Sequence, residues 1–212
     1  MLISFNEIYG MLLSNNIKID GVFHVGAHEC EELSFYVNEL GLNQEDVIWI
    51  DAINEKVTEA KNRGIPNVYN AIITDKDDED VVCNISNNVQ SSSVLEFGTH
   101  SQEHPMVVYV DKIHSKSITI DTFFEQNHIA EPWKYNFWNF DIRGAELMAL
   151  KGAVQNLKYA KAIYLEVNVD ELYKGCGLIG EIDDFLFQYN FKRVITHITQ
   201  HGWGDALYVK DY

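Results

Sequence analysis

Two residues closing neighbouring apolar runs have the types and spacing to hold a nucleoside. Gly26 ends Gly21-Val-Phe-His-Val-Gly26, and Asp51 ends Val47-Ile-Trp-Ile-Asp51, 25 positions later. A glycine there lets the chain turn sharply and approach a ligand closely, while an acid at about that interval accepts hydrogen bonds from a ribose diol. Alone, the glycine could be a plain turn and the acid a helix N-cap; as a pair at successive strand ends they point to a nucleoside. A dinucleotide would need G-x-G-x-x-G so that backbone amides reach the pyrophosphate. This turn instead reads Gly26-Ala-His28-Glu-Cys30, which suits a nucleoside cofactor without phosphate.

Further acids follow apolar runs downstream. Asp141 and Glu166 close later strands and should face the same crevice, as candidates for substrate positioning and proton removal. The competing reading is that strand-end acids cap the following helices. Glu146 falls in a first helical turn, where negative charge is favourable for the dipole alone. His24, His100, His104, His128 and His201 can serve as bases by type, but nothing in the sequence chooses among them. The spacing H-x-x-x-H occurs at His24/His28, His100/His104 and His197/His201; it signals zinc only on a helix, and none of the three is read as helical, so no metal is expected. Trp133, Tyr135, Phe137, Trp138 and Phe140, with Trp203, could stack on a sugar ring, although at least half of them suit a core.

The elements that must position these residues alternate in type. Leu2, Phe5, Ile8, Tyr9, Leu12 and Leu13 recur three and four apart, predicting an N-terminal helix over residues 1–16 packed on the domain. Strand, turn and helix follow, with Glu29, Glu31 and Glu32 opening a helix that stops at Gly41. Val47–Ile50 reads as a parallel strand buried on both faces, then a helix from Asn54 to Arg63 and a strand from Val68 to Thr74. The acidic cluster Asp75–Asp80 reads as a solvated turn. Residues 81–124 are irregular, with a Ser91–Ser93 loop and an alternating strand Ser117–Asp121; such an insertion often forms a substrate face. A strand to Ile142, a helix from Ala145 to Leu157, a strand Ala162–Val167 and a helix Glu181–Tyr189 continue the rhythm. Lys192–Ile198 and Ala206–Lys210 are too close for a crossover helix and must pair antiparallel. The expected fold is one α/β domain over residues 1–212: a doubly wound, mostly parallel seven-stranded sheet with a C-terminal antiparallel hairpin.

Composition narrows the function. With 16 Lys+Arg against 32 Asp+Glu the formal charge is −16, a field that repels nucleic-acid phosphate and anionic lipid. No apolar run approaches a membrane span, and Glu7 stands where a leader would be basic. Cys30, Cys83 and Cys176 are odd in number and widely spaced, matching neither a disulfide framework nor a zinc pair. A soluble cytoplasmic protein is expected, without nucleic-acid or membrane partners.

The runs Phe23-His-Val-Gly-Ala-His28, Val47-Ile-Trp-Ile-Asp51, Asn88-Val-Gln-Ser-Ser-Ser-Val-Leu95 and Asn139-Phe-Asp-Ile-Arg-Gly-Ala-Glu-Leu147 resemble the FkbM family of methyltransferases. Leu150-Lys-Gly-Ala153, Tyr164-Leu-Glu-Val-Asn168 and His201-Gly-Trp-Gly-Asp205 continue the likeness in order over nearly the whole chain. The resemblance implies O-methylation of a hydroxyl, on a carbohydrate or another small hydroxylated substrate, with S-adenosylmethionine as cofactor. It implies cofactor residues at Gly26, Ala27, His28, Asp51, Ala52, Ala71, Ser92 and Asp141. His24 stands where that family often has Asp, Cys30 where it often has Gly, and Arg143 where Glu or Gln is usual. Those departures motivate a competing reading, a methyltransferase-fold binding or scaffold protein without turnover. Arg143 could alternatively hold an anionic substrate group.

Overall fold

The computed structural model describes residues 2–211; Met1, included in the expected N-terminal helix, lies outside them. In chain order the elements are α1 (Phe5–Ser14), β1 (Val22–Val25), α2 (Leu33–Asn38), β2 (Val47–Asp51), α3 (Asn54–Asn62), β3 (Val68–Asn70), β4 (Ile72–Ile73) and β5 (Asp80–Ser86). There follow α4 (His100–Glu103), β6 (Tyr109–Ile118), α5 (Ile120–Gln126), β7 (Phe137–Phe140), α6 (Glu146–Lys151), β8 (Ala162–Asn168), α7 (Ile179–Phe187), β9 (Phe191–Ile198) and β10 (Trp203–Lys210).

The main sheet has the order β3-β2-β1-β7-β8-β10-β9. Its strands are parallel except β10, which is antiparallel to both β8 and β9. The order reverses between β1 and β7, so the crevice outside their carboxyl ends is the topological switch point where such sheets bind ligands. Every residue of β1, β2, β7 and β8 is buried, as apolar runs covered on both faces require. Alternate side chains feed two cores: Phe23, Val25, Ile48, Ile50, Trp138 and Phe140 on one face, Val22, Val47, Trp49 and Phe137 on the other. Tyr135, Phe137, Trp138 and Phe140 are therefore core, while Trp133 stays exposed.

The first helix starts where a capping box sets it: Ser4 accepts from the Glu7 N–H and Glu7 reaches back to the Ser4 N–H. Four expected elements differ. The strand expected over Val68–Thr74 breaks at Ala71, whose N–H donates to the Asp51 carbonyl; Ile72 and Ile73 then join a second sheet, β4-β6-β5, built by the 81–124 insertion. Ser117–Asp121 is the end of β6 followed by α5, because the Thr119 hydroxyl N-caps that helix. The helix expected to reach Leu157 stops at Lys151, since the Asp121 carboxylate binds the N–H groups of Gln155 and Asn156 at 2.9 and 3.0 Å and draws the backbone away. In the acidic cluster, Asp77 accepts from the Thr119 N–H and the Thr122 hydroxyl, at 2.7 and 2.8 Å, and so ties the turn to α5.

Candidate active site

The ladder pairs align the polar residues in one row across the sheet. Val25 pairs with Ile50 and with Phe140, and Phe140 pairs with Leu165. The next position therefore reads Asp51, Gly26, Asp141, Glu166. Asp51 pairs with Asn70 on the outer side, and Glu166 with Asp205, which pairs with His197. Residues adjacent in a row point to the same face, so four carboxylates share one side of the sheet at its carboxyl edge.

A cavity of about 330 Å³ lies over the Asp51–Asp141 half of this row, within the size range of small-molecule sites. Its β2–β3 end is mostly apolar, with Ile50, Ala52, Ile53, Ala71 and Ile72; its β1–β7 end is charged, with His28, Glu31, Glu32, Asp141 and Arg143. Val89, Gln90 and Ser92 of the insertion close it from outside. Gly26 has φ 91°, and a Cβ there would lie 2.1 Å from the Asp141 carbonyl oxygen. Only glycine lets the ends of β1 and β7 meet this closely. The N–H groups of Gly26 and Ala27 both donate to the Ile50 carbonyl, which anchors the turn to β2.

Asp51 holds the same turn by its side chain. One carboxylate oxygen accepts from the His28 N–H at 2.7 Å and the other from the Ile53 N–H at 2.8 Å. Each oxygen retains a second lone pair, the capacity a ribose diol needs. Burial raises the Asp51 pKa against these two hydrogen bonds. Beneath the turn, His24 is buried, and burial pushes it down to about 4, leaving it neutral. Its Nδ1 lies 3.1 Å from the Tyr36 hydroxyl. Asn139 Nδ2 donates to that hydroxyl at 2.7 Å.

Arg143 joins the two halves of the row. Its guanidinium meets Glu166, and Asp141 at 3.3 Å, while its Nε donates to the Gln90 carbonyl at 2.7 Å. Its own carbonyl accepts from the Ser93 hydroxyl at 2.8 Å. Arg143 adopts φ 52°, a left-handed conformation costing about 1–2 kcal/mol, sustained by these bonds to the insertion. Burial opposes its charge, but Asp141 and Glu166 outweigh burial and raise its pKa. Burial likewise pushes Glu166 up to about 7, against the pull of Arg143.

Of the expected site residues, Gly26, His28, Asp51, Ala52, Ala71, Ser92 and Asp141 line the cavity. Ala27 packs behind the turn in the core. Glu166 stands beside the cavity rather than in its wall. Glu146 is buried, its two oxygens accepting from the Ile142 and Gly144 N–H groups at 3.0 and 2.9 Å, so it shapes the loop after β7. Burial pushes it up to about 8. Cys30 is no nucleophile: burial pushes its thiol up to about 12. All three cysteines are free and buried. His100 opens the single turn of α4 and His104 lies just past it as the non-helical C-cap, with the two rings 4.9 Å apart.

Sequence reasoning passed over two residues of the site. Glu32 was legible only as a helix-opening acid, and Asp205 only as part of a closing motif. The signal for Asp205 was the hairpin itself, which sets it opposite Glu166.

A seven-stranded sheet with one reversed strand, and a glycine turn and strand-end acids along its carboxyl edge, make this the fold of S-adenosylmethionine-dependent methyltransferases. A model of the methyltransferase FkbM domain matches residues 24–193, and the chain belongs to the FkbM methyltransferase family. Among solved structures, methyltransferase FkbM from Methylobacillus flagellatus KT is similar at 15% identity and a TM-score of 0.51, over 90% of this chain and 44% of that one. A Streptococcus pneumoniae methyltransferase provisionally assigned to tRNA (m1A22) is similar at 10% identity and 0.50, over 99% of this chain and 71% of that one. The magnesium protoporphyrin IX methyltransferase of Synechocystis, solved with S-adenosylmethionine, has 10% identity and a TM-score of 0.45, over 98% and 78%. No curated protein matches the chain. No helix among the described residues is long and apolar enough to cross a membrane.

Proposed function

We propose that the chain is an O-methyltransferase acting on a hydroxyl of a carbohydrate or another small hydroxylated acceptor. The observation that carries this reading is the place of Asp141, which lines the cavity and stands between Gly26 and Glu166 in one row of the sheet. The cofactor, when bound, supplies an electrophilic methyl on a sulfonium. Transfer to a hydroxyl oxygen is then an in-line displacement that needs alignment and a proton acceptor, and no covalent nucleophile.

In this reading Asp51 takes the ribose diol, Ala52 and Ala71 flank the adenine, and Ser92 closes the cavity. The turn Gly26-Ala27-His28 surrounds the methionyl arm. Asp141 orients the acceptor hydroxyl and receives its proton, while Glu166 acts through Arg143 as a positioning residue. Glu146 holds the loop that carries Asp141. The net charge of −16 argues against a nucleic-acid acceptor, and one domain over residues 1–212 suffices for this chemistry.

The test is transfer of labelled methyl from S-adenosylmethionine to a panel of glycans and polyols. Label on oxygen is expected, with Asp141→Asn losing about 100-fold or more in kcat/KM, the range of general-base catalysis, at nearly unchanged cofactor affinity. Label confined to nitrogen or carbon acceptors overturns the proposal. The scaffold reading draws on Arg143, which already engages both acids on the acceptor side; it predicts cofactor binding with no labelled acceptor. Asp51→Ala should weaken cofactor binding by about 1.5–3 kcal/mol, the range for a hydrogen bond to a charged group. Calorimetric titration of S-adenosylhomocysteine checks this, and an unchanged dissociation constant refutes the ribose assignment.

A further inference from the structure

Three acids open the turn before α2, and two of them have cationic or titratable partners. Glu29 meets Lys56 at 3.1 Å and Glu31 meets His28 at 3.0 Å. Glu32 differs. It lines the cavity, occupies the N-cap of α2 without a side-chain capping bond, and has the acids Asp141 and Glu31 as its charged side-chain neighbours. Burial pushes its carboxyl up to about 7, and those two charges add to the shift.

Arg143, the guanidinium at this end of the cavity, is already engaged by other acids. It lies 3.3 Å from Asp141 and also meets Glu166. Nor does the end of β1 supply charge, since His24 is neutral and engaged with Tyr36. Glu32 thus faces the cavity without a cation of its own, and a cation placed beside it would favour its ionised form.

We propose that Glu32 receives the cationic ammonium end of the cofactor's methionyl arm. This rests on the cofactor cavity described above and assigns a residue to its charged end. The apolar β2–β3 end takes the adenosyl group, and Glu32 gives the opposite end its selectivity for a positive charge.

Titration calorimetry with three probes tests the assignment. S-adenosylmethionine and S-adenosylhomocysteine carry the ammonium, and 5′-methylthioadenosine does not. Glu32→Gln is expected to weaken the first two by about tenfold or more, as loss of a charge-assisted hydrogen bond should, and to leave 5′-methylthioadenosine within about twofold. Glu32→Asp, which keeps the charge with a shorter reach, should recover part of the lost affinity. Equal weakening of all three probes would mean that the substitution merely disturbs the turn and would overturn the assignment. Unchanged affinity for the two amino-acid ligands would overturn it as well. If wild-type protein bound none of the three, the cofactor cavity itself would be refuted, a result distinct from failure at Glu32 alone.

Discussion

Gly26→Ala is expected to abolish measurable binding of S-adenosylhomocysteine and to lower the melting temperature by roughly 4–24 °C, at about 2–4 °C per kcal/mol for a chain of this size. Two costs combine. The residue holds φ 91°, which an L side chain adopts only under strain of about 1–3 kcal/mol. Its new Cβ would also lie 2.1 Å from the Asp141 carbonyl oxygen, and that atom belongs to backbone that cannot rotate away. Forcing β1 and β7 apart adds an overpacking cost of about 1–3 kcal/mol and moves Asp141 out of register with Gly26. Gly64→Ala separates the two costs: it has φ 83° and nothing within 4 Å of the added Cβ, so it should show the backbone strain alone and bind cofactor normally. Differential scanning fluorimetry with and without ligand reads both effects, and equal behaviour of the two variants would show that the β1–β7 contact is not close.

Parts of this architecture were legible because they obey local rules. The run Val47-Ile-Trp-Ile announces a strand buried on both faces, and Gly64 after the α3 pattern announces a stop. The short link before Trp203 demanded an antiparallel pair, and β9 and β10 form one. Elements fixed by distant partners were not legible. Asp121 diverts the chain at Gln155 and Asn156 from 34 positions upstream, so the end of α6 has no signal of its own. Ala71 leaves one sheet for another because β6 is there to receive Ile72 and Ile73. The second sheet could not be read from an insertion whose longest strand, β6, exposes six of its ten residues.

The candidate site divides along the same line. Gly26, Asp51 and Asp141 stand at strand ends, where type and spacing carry the message, and the cavity gathers all three. Glu146 illustrates the opposite case. Its residue type fits chemistry, yet both of its oxygens are taken by backbone N–H groups of the loop, a fact that only the loop's path reveals. The departure at Arg143 was visible in the sequence, but its consequence depends on Glu166, brought within reach by the pairing of β7 with β8.

That pairing makes stability depend on pH in a way Arg143→Met should amplify. Glu166 has a folded pKa of about 7, above the roughly 4.3 of an unfolded glutamate. An acid shifted upward takes up a proton on folding, so its contribution is fully present below the unfolded value and is lost as pH rises through the folded one. Glu32 at about 7 and Glu146 at about 8 act in the same direction, so the wild-type melting temperature should fall between pH 5.5 and 8.5. Without Arg143 nothing cationic offsets the Glu166 charge, its folded pKa rises further, and the fall continues to higher pH. At pH 5.5, where Glu166 is mostly protonated in either protein, Arg143→Met should cost only about 1 kcal/mol, as for losing one hydrogen-bonding group. At pH 8.5 the cost should approach the roughly 3–5 kcal/mol of a broken buried ion pair. Adding Glu166→Gln to Arg143→Met removes the titrating carboxyl and should restore stability at high pH. Melting curves of the two single variants and the double variant decide the matter. If the wild-type and Arg143→Met profiles ran parallel across this range, Glu166 could not be the charge that Arg143 holds.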